Sequence, residues 1–183
     1  GICASGNMIW LTMDVKVAKL NGKDRYPDLP KTSGRIYDDL MFRHWDTWDD
    51  GTYSHIFVGT FSDGVIGPLK DIMKDEPYDA PMKPNGGDEE IDWSPDGKFL
   101  AYTCKKSTGT EYATGTNSEI YLYDLAAGGT KNISSGNKGY DKQPAFSPDG
   151  MKLAWISQEE PGNEADMARL FMLDFRNGNK TEL

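Results

Sequence analysis

The chain has 183 residues, 37% of them hydrophobic and 11% aromatic, with 20 glycines and 10 prolines. This is enough apolar material for one packed domain or part of a larger one, and it excludes wholesale disorder. The formal net charge of -9 excludes a general nucleic-acid binder and a protein of anionic membrane surfaces, because both need a basic field; no window is long and apolar enough to insert into a bilayer.

In chain order, "NMIWLTMDVKVAKL" from Asn7 reads as the remnant of a strand pair, followed by a loop or linker, "NGKDRYPDLPKTSG". Residues 1–34 are therefore expected to be a partial leading blade or a linker. "DDLMFRHWDTW" from Asp38 reads as an inner strand and a turn. "YSHIFVGTFSDG" from Tyr53 reads as a strand ending at Asp63-Gly64, so 35–80 forms a divergent unit. "PMKPNGGDEE" from Pro81 is a second connector. Two clear repeats follow, in 81–137 and 138–183. "IDWSPDGKFLAYTC" begins at Ile91 and "PAFSPDGMKLAWIS" at Pro144, with their Ser-Pro-Asp-Gly corners 53 residues apart. Each is completed by a further strand, "EIYLYDL" from Glu119 or "RLFMLDF" from Arg169, then a Gly-containing turn and a short polar segment.

The corners have a local explanation. Asp-Gly is a tight-turn pair, glycine tolerates the positive φ of a hairpin corner, and proline presets φ at the first central position. Ser94 and Ser147 can bond nearby backbone, so they read as corner residues and not as nucleophiles. The strands that follow carry unbroken apolar runs, Leu100–Tyr102, Ile120–Tyr123 and Leu170–Leu173. Such strands want cover on both faces, as in sheets stacked side by side. The expected fold is all-β: a partial β-propeller of about three four-stranded blades. A two-sheet sandwich competes, but it would leave many strands with one wet face.

Chemistry-bearing clusters are few. In "RHWD", Arg43 could clamp a carboxylate, and His44 could act as a base if Asp46 oriented it; strand alternation would put Arg43 and Trp45 on one side and His44 and Asp46 on the other. Asp88, Glu89 and Glu90 could receive an ammonium group, and Tyr140 could cover a ligand. A tie between loops, a solvated acidic face and an interblade contact are the corresponding structural readings. His55, beside the apolar run Ile56–Val58, reads as structural. No metal-ligand spacing and no cofactor motif is present. Cys3 and Cys104 permit one disulfide without implying it, and Cys104, ending an apolar strand, reads as a small buried side chain. No Gly-x-Ser-x-Gly elbow occurs, so no catalytic residue is expected.

The WD40-like (PD40) Ser-Pro-Asp-Gly repeats resemble those of prolyl oligopeptidase-family serine peptidases and of the TolB propeller. The longer strings "GRIYDDLMFRHWDTW", "PNGGDEEIDWSPDGKFLAYTCKK", "TGTEYATGTNSEIYLYDL" and "GYDKQPAFSPDG" resemble the bacterial dipeptidyl-peptidase-like members of that family. The resemblance implies a non-catalytic propeller piece of a larger exopeptidase or oligopeptidase. It would gate and position peptide substrates for a C-terminal α/β-hydrolase domain, absent from these residues, that carries the Ser-Asp-His triad. It further implies a periplasmic or otherwise exported parent, although no signal peptide is visible. Related enzymes hold the substrate's amino end with acidic propeller residues, but the pattern flanking Asp88, Glu89 and Glu90 differs. The alternative is a non-enzymatic, TolB-like propeller that binds proteins. A glycan-binding propeller is a lesser alternative, since the corners lack the Thr-Trp pattern of sialidase repeats. Open blade edges are expected to allow self-association.

Overall fold

In the computed structural model, which describes residues 1–183, the strands are β1 (Met8–Lys16), β2 (Arg43–His44), β3 (Thr47–Trp48), β4 (Thr52–Ser62), β5 (Val65–Ile66), β6 (Lys70–Asp71), β7 (Ile91–Trp93), β8 (Phe99–Cys104), β9 (Glu119–Asp124), β10 (Gly129–Asn132), β11 (Asp141–Phe146), β12 (Lys152–Ser157), β13 (Arg169–Asp174) and β14 (Asn179–Glu182). Two short helices, α1 (Gly22–Arg25) and α2 (Gly109–Thr114), and a 3-10 turn at Asp88–Glu90 lie in the connections. Three four-stranded antiparallel sheets result: β1-β4-β5 with β6 also on β4, then β7-β8-β9-β10, then β11-β12-β13-β14. They are the blades of a partial β-propeller.

The unbroken apolar strands explain the stacking. In β8, Leu100, Tyr102 and Cys104 point into the core shared with the first sheet, beside Trp10, Ile56 and Val58. Ala101, between them, points the other way, into a second core with Ile120, Leu153 and Trp155. Both faces of the middle sheet are covered, so the period-2 polar alternation of a half-wet strand never appears. Small Ala101 opposite bulky Trp155 lets the sheets approach. A bulge in β11 between Lys142 and Ala145, with Gln143 at φ 58°, frees backbone donors that the middle sheet accepts. Gln143 N donates to Thr103 Oγ1 at 3.2 Å and Phe146 N to Asp92 Oδ2 at 2.7 Å.

The corners behave as the residue types dictate. Ser94 Oγ accepts from Phe99 N at 2.9 Å and donates to Asp96 Oδ1 at 2.7 Å, while Gly97 takes φ 70°. Ser147 repeats this with Lys152 N at 2.9 Å, Asp149 at 2.6 Å and Gly150 at φ 70°. A third corner has no Ser-Pro-Asp-Gly. Cys3 stands in the serine position: Met8 N donates to its Sγ at 3.2 Å, and Gly6 N donates to its carbonyl at 2.8 Å. Trp10 N then bonds Gly1 O at 2.8 Å, so the first residues start the first sheet. Both cysteines are free and buried.

Two stretches differ from their sequence-based expectation. The leading stretch donates β1 to the same sheet as β4, paired from Met8↔Thr60 to Lys16↔Thr52. Residues 17–51 are thus an excursion between two neighbouring strands, and sequence distance concealed their pairing. "DDLMFRHWDTW" forms no inner strand but a small hairpin, β2–β3, outside the sheets. Three of its large side chains, Phe42, Trp45 and Trp48, remain exposed, so no sheet position buries them.

Candidate functional site

In an up-and-down sheet, alternate connections emerge at opposite ends. The three corners lie at one end. At the other lie the long connections 17–51, 105–118 and 158–168 and the links between sheets, 72–90 and 133–140. Every candidate residue of the sequence, Arg43, His44, Asp46, Asp88, Glu89, Glu90 and Tyr140, belongs to this second end.

Three of them share a cleft of about 530 Å³, lined by Arg43, His44 and Asp46 together with Trp45, Trp48, Tyr53, Tyr78, Asp79, Lys83 and Tyr112, among others. The hairpin forms one wall. It is braced by an aromatic cluster: Phe42 and Trp48 stack with centroids 6.0 Å apart, and Tyr37 sits 5.9 Å from Phe42. Tyr37 Oη donates to Asp49 O at 2.6 Å, and Gly109 N donates to Leu40 O at 3.1 Å, fastening the hairpin base to the start of α2. Arg43 lies across from Trp48, its guanidinium 5.7 Å from the Trp48 ring centroid. The turn at Trp45, φ 51°, interrupts strand alternation, so the expected sides of Arg43–Asp46 do not apply beyond His44.

The opposite wall is the link after the first sheet. Asp79 accepts from Ser54 N at 2.7 Å and pairs with Lys83 at 3.0 Å, and Lys83 also reaches Asp14 at 3.6 Å. Burial raises the Asp79 carboxyl above its ordinary value, against the opposing pull of Ser54 N–H and Lys83. Burial likewise pushes the Tyr53 and Tyr112 hydroxyls up to about 12, so both remain neutral donors at physiological pH. Five aspartates line the cleft (Asp14, Asp46, Asp49, Asp50 and Asp79), yet Arg43 makes an ion pair with none of them. The arrangement can therefore grip a polar chain between aromatic walls, with a free guanidinium for a carbonyl or carboxylate and an acidic lining for a cation.

The remaining candidates lie outside this lining. Asp88 and Glu89 are exposed on the 3-10 turn, and Glu89 Oε1 accepts from Gly87 N at 3.2 Å. Glu90 is buried, and its Oε2 accepts from Met82 N at 2.7 Å. Burial, reinforced by Glu89, pushes its carboxyl up to about 7. Tyr140 is half-buried in the link between second and third sheets, where its carbonyl accepts from Gln158 N at 2.7 Å and its ring lies 5.0 Å from Lys142 Nζ.

His55 is fully buried, with Nδ1 2.9 Å from Asp71 and Nε2 2.9 Å from Glu76 O. Sequence reasoning missed Tyr53, Tyr78, Asp79, Lys83 and Tyr112 as lining residues. Tyr53 stands near the start of β4, the other four sit 30 to 64 residues beyond the hairpin in connections, and no local pattern marks them.

No protein-family model matches the chain. Over 175 residues it is 50% identical to dipeptidyl-peptidase 5 of Porphyromonas gingivalis, an alignment covering 96% of this chain and 25% of that protein. Dipeptidyl-peptidase 5 of Porphyromonas endodontalis is 46% identical over 168 residues, covering 92% and 24%. The crystal structure of TolB from Acinetobacter baumannii aligns over 71% of this chain and 26% of its own, with a TM-score of 0.45 and 23% identity. The chain spans about a quarter of the length of the two peptidases. Identity of this level across nearly the whole chain, on stacked four-stranded sheets with repeated corners, places it in a family: the chain belongs to the dipeptidyl-peptidase-like members of the prolyl oligopeptidase family, as part of their propeller region.

Proposed function

We propose that these blades gate and position peptide substrates for an α/β-hydrolase domain of a longer serine peptidase. The observation that carries the reading is the cleft at the connection end, where Arg43 stands unpaired over Trp48 among aspartates and tyrosines. A peptide offers the matching groups: backbone carbonyls or a carboxylate for Arg43, and cationic groups for the acidic lining. The hydrolase domain would supply the nucleophilic serine, the proton-shuttling histidine and the oxyanion donors.

Asp88, Glu89 and Tyr140, at the same end, are proposed as further contacts for a peptide reaching across the blades, with buried Glu90 holding the turn that presents Asp88 and Glu89. The parent is proposed to be exported, as a periplasmic or extracellular peptidase; no helix of the chain is long and apolar enough to cross a membrane. Open blade edges give the chain a route to self-association.

The test is peptidase activity of the longer protein beside the 183-residue chain, on short peptides with free and with blocked amino ends. Activity confined to the longer protein and to free-ended peptides supports the reading. An inactive but folded parent across a broad peptide panel sinks it and favours a protein-binding propeller. In an active parent, Arg43→Ala should raise KM at least severalfold, with unfolding temperature unchanged. Unchanged kinetics with lost stability would make Arg43 a structural residue.

A further inference from the structure

Tyr112 lines the cleft, yet little in its own segment fixes it there. It belongs to α2, a helix of six residues with no side-chain cap at its N-terminal end. Within this stretch Tyr112 N donates to Thr108 O at 3.3 Å and Gly115 N to Glu111 O at 2.9 Å. So short a helix does not hold itself in water, because nucleation costs more than these few bonds return. The position of Tyr112 therefore depends on ties from outside the helix.

Three ties are present. Gly109 N donates to Leu40 O at 3.1 Å, at the base of the hairpin. Gly162 N, from the long connection of the third sheet, donates to Thr116 Oγ1 at 3.0 Å, just past the helix. The third tie is the Lys105 ammonium, which donates to Tyr112 O at 2.7 Å and to Gly115 O at 2.6 Å. It meets the C-terminal end of the helix, where backbone carbonyls lack helical partners. The same ammonium lies 4.5 Å from the centre of the Tyr112 ring, so one cation holds both the backbone and the ring of that residue. Lys105 is half-buried and forms no ion pair, although the chain carries a net charge of -9. Its hydrogen bonds go to this helix end alone. Burial pulls the ammonium below the ordinary lysine value, against Glu164 and Glu111. Lys105 itself is no part of the cleft lining. It directly follows Cys104, the fully buried last residue of β8, so the cation is carried by a core strand and the tyrosine by a connection.

Resting on the reading of this cleft as a peptide site, we propose that Lys105 is a positioning residue for it. From the end of β8 it sets the Tyr112 ring, and a peptide in the cleft meets Tyr112 and never Lys105. A ring held in place before binding spares the complex the cost of ordering it. Loss of the ammonium frees the helix, weakens the hold on the peptide and leaves the acyl-transfer steps of the hydrolase domain untouched.

The experiment is steady-state kinetics of the longer protein on short free-ended peptides, with Lys105→Met, Tyr112→Ala and the double variant. Lys105→Met should raise KM severalfold at unchanged kcat, the pattern of lost ground-state binding. Lys105→Arg, which keeps the charge and the donors, should restore most of the loss. Tyr112→Ala should raise KM as well, and adding Lys105→Met to it should do nothing further. Thermal unfolding checks the fold. If Lys105→Met lowers the midpoint, Lys105→Gln replaces it, and its smaller rise in KM must likewise vanish beside Tyr112→Ala. A Lys105→Met protein with the KM of wild type overturns the proposal, while a raised KM in Arg43→Ala and Tyr112→Ala still keeps the cleft as the peptide site. Full additivity of the two changes overturns it too, because Lys105 then acts through something other than Tyr112. A parent that cleaves no peptide, or whose KM ignores Arg43→Ala and Tyr112→Ala alike, fails the reading of the cleft itself, and the proposal falls with it.

Discussion

Ser94 is 2% exposed, and its hydroxyl is the partner of the Phe99 N–H. Replacing it with alanine leaves that donor short of a partner in a place water reaches poorly, at a cost of about 1–3 kcal/mol. Urea unfolding of Ser94→Ala should show a lower midpoint at unchanged slope. Cys3→Ser, which restores the oxygen acceptor used at the other two corners, should cost less than Ser94→Ala on the same measurement. Asp141 is the second residue with a clear expectation. It is 1% exposed, and its Oδ1 accepts from Trp155 Nε1 at 3.2 Å and Asn137 Nδ2 at 3.1 Å. Asp141→Ala strands the buried indole N–H, whereas the Asn137 amide keeps Ser157 Oγ at 3.1 Å and Gln158 O at 2.8 Å, so the variant should lower the urea midpoint by the equivalent of about 1–3 kcal/mol. Glu90 sets a pH dependence. Its folded carboxyl titrates at about 7, above the ordinary 4.5, because burial disfavours the charge. The folded state thus holds the proton more tightly than the unfolded one, and stability falls as pH rises from about 4.5 through 7. Glu90→Gln removes this titration, so its stability relative to wild type should improve as pH rises across that window. A difference between the two proteins that is flat with pH would refute the assignment.

Links between elements depend on close backbone approach as much as on side chains. A Cβ on Gly139 would lie 2.1 Å from the Gln158 carbonyl oxygen, and this is backbone that cannot turn aside. The link between the second and third sheets is clasped there, Gln158 N donating to Tyr140 O at 2.7 Å. Gly139→Ala should therefore destabilise by more than about 2 kcal/mol, whereas alanine at Gly129, where nothing lies within 4 Å, should stay within about 0.5 kcal/mol. Thermal unfolding of the two variants separates them. Elements also share a polar device: His55–Asp71, Glu119–Asn132 and Arg169–Glu182 join the last two strands of each sheet at equivalent positions. The chemistry differs in each, so no sequence repeat announces it. Only the ladder register makes the three equivalent.

At the scale of the whole molecule, three four-stranded sheets stack side by side and carry their long connections, with the cleft, at one end. The corners, the strand pairs around them and the burial of Leu100–Tyr102 and of Cys104 were legible in the sequence because each is specified within a few residues: turn chemistry by Pro-Asp-Gly, burial by unbroken apolar runs. Local patterning therefore determined by itself an all-β, repeated, stacked architecture and the stretch of chain that carries Arg43, His44 and Asp46. The pairing of β1 with β4 across the 17–51 excursion was not legible, nor was the Cys3 corner, whose thiol replaces the expected hydroxyl. The cleft is the same case. Arg43, Asp79 and Tyr112 come from three different connections and meet because antiparallel strands return those connections to one end. Register and handedness of stacking are properties of long-range hydrogen bonds and of side chains packed between sheets, and no short window of sequence contains both partners. That is why the tertiary structure alone decided which candidate residues share a cleft.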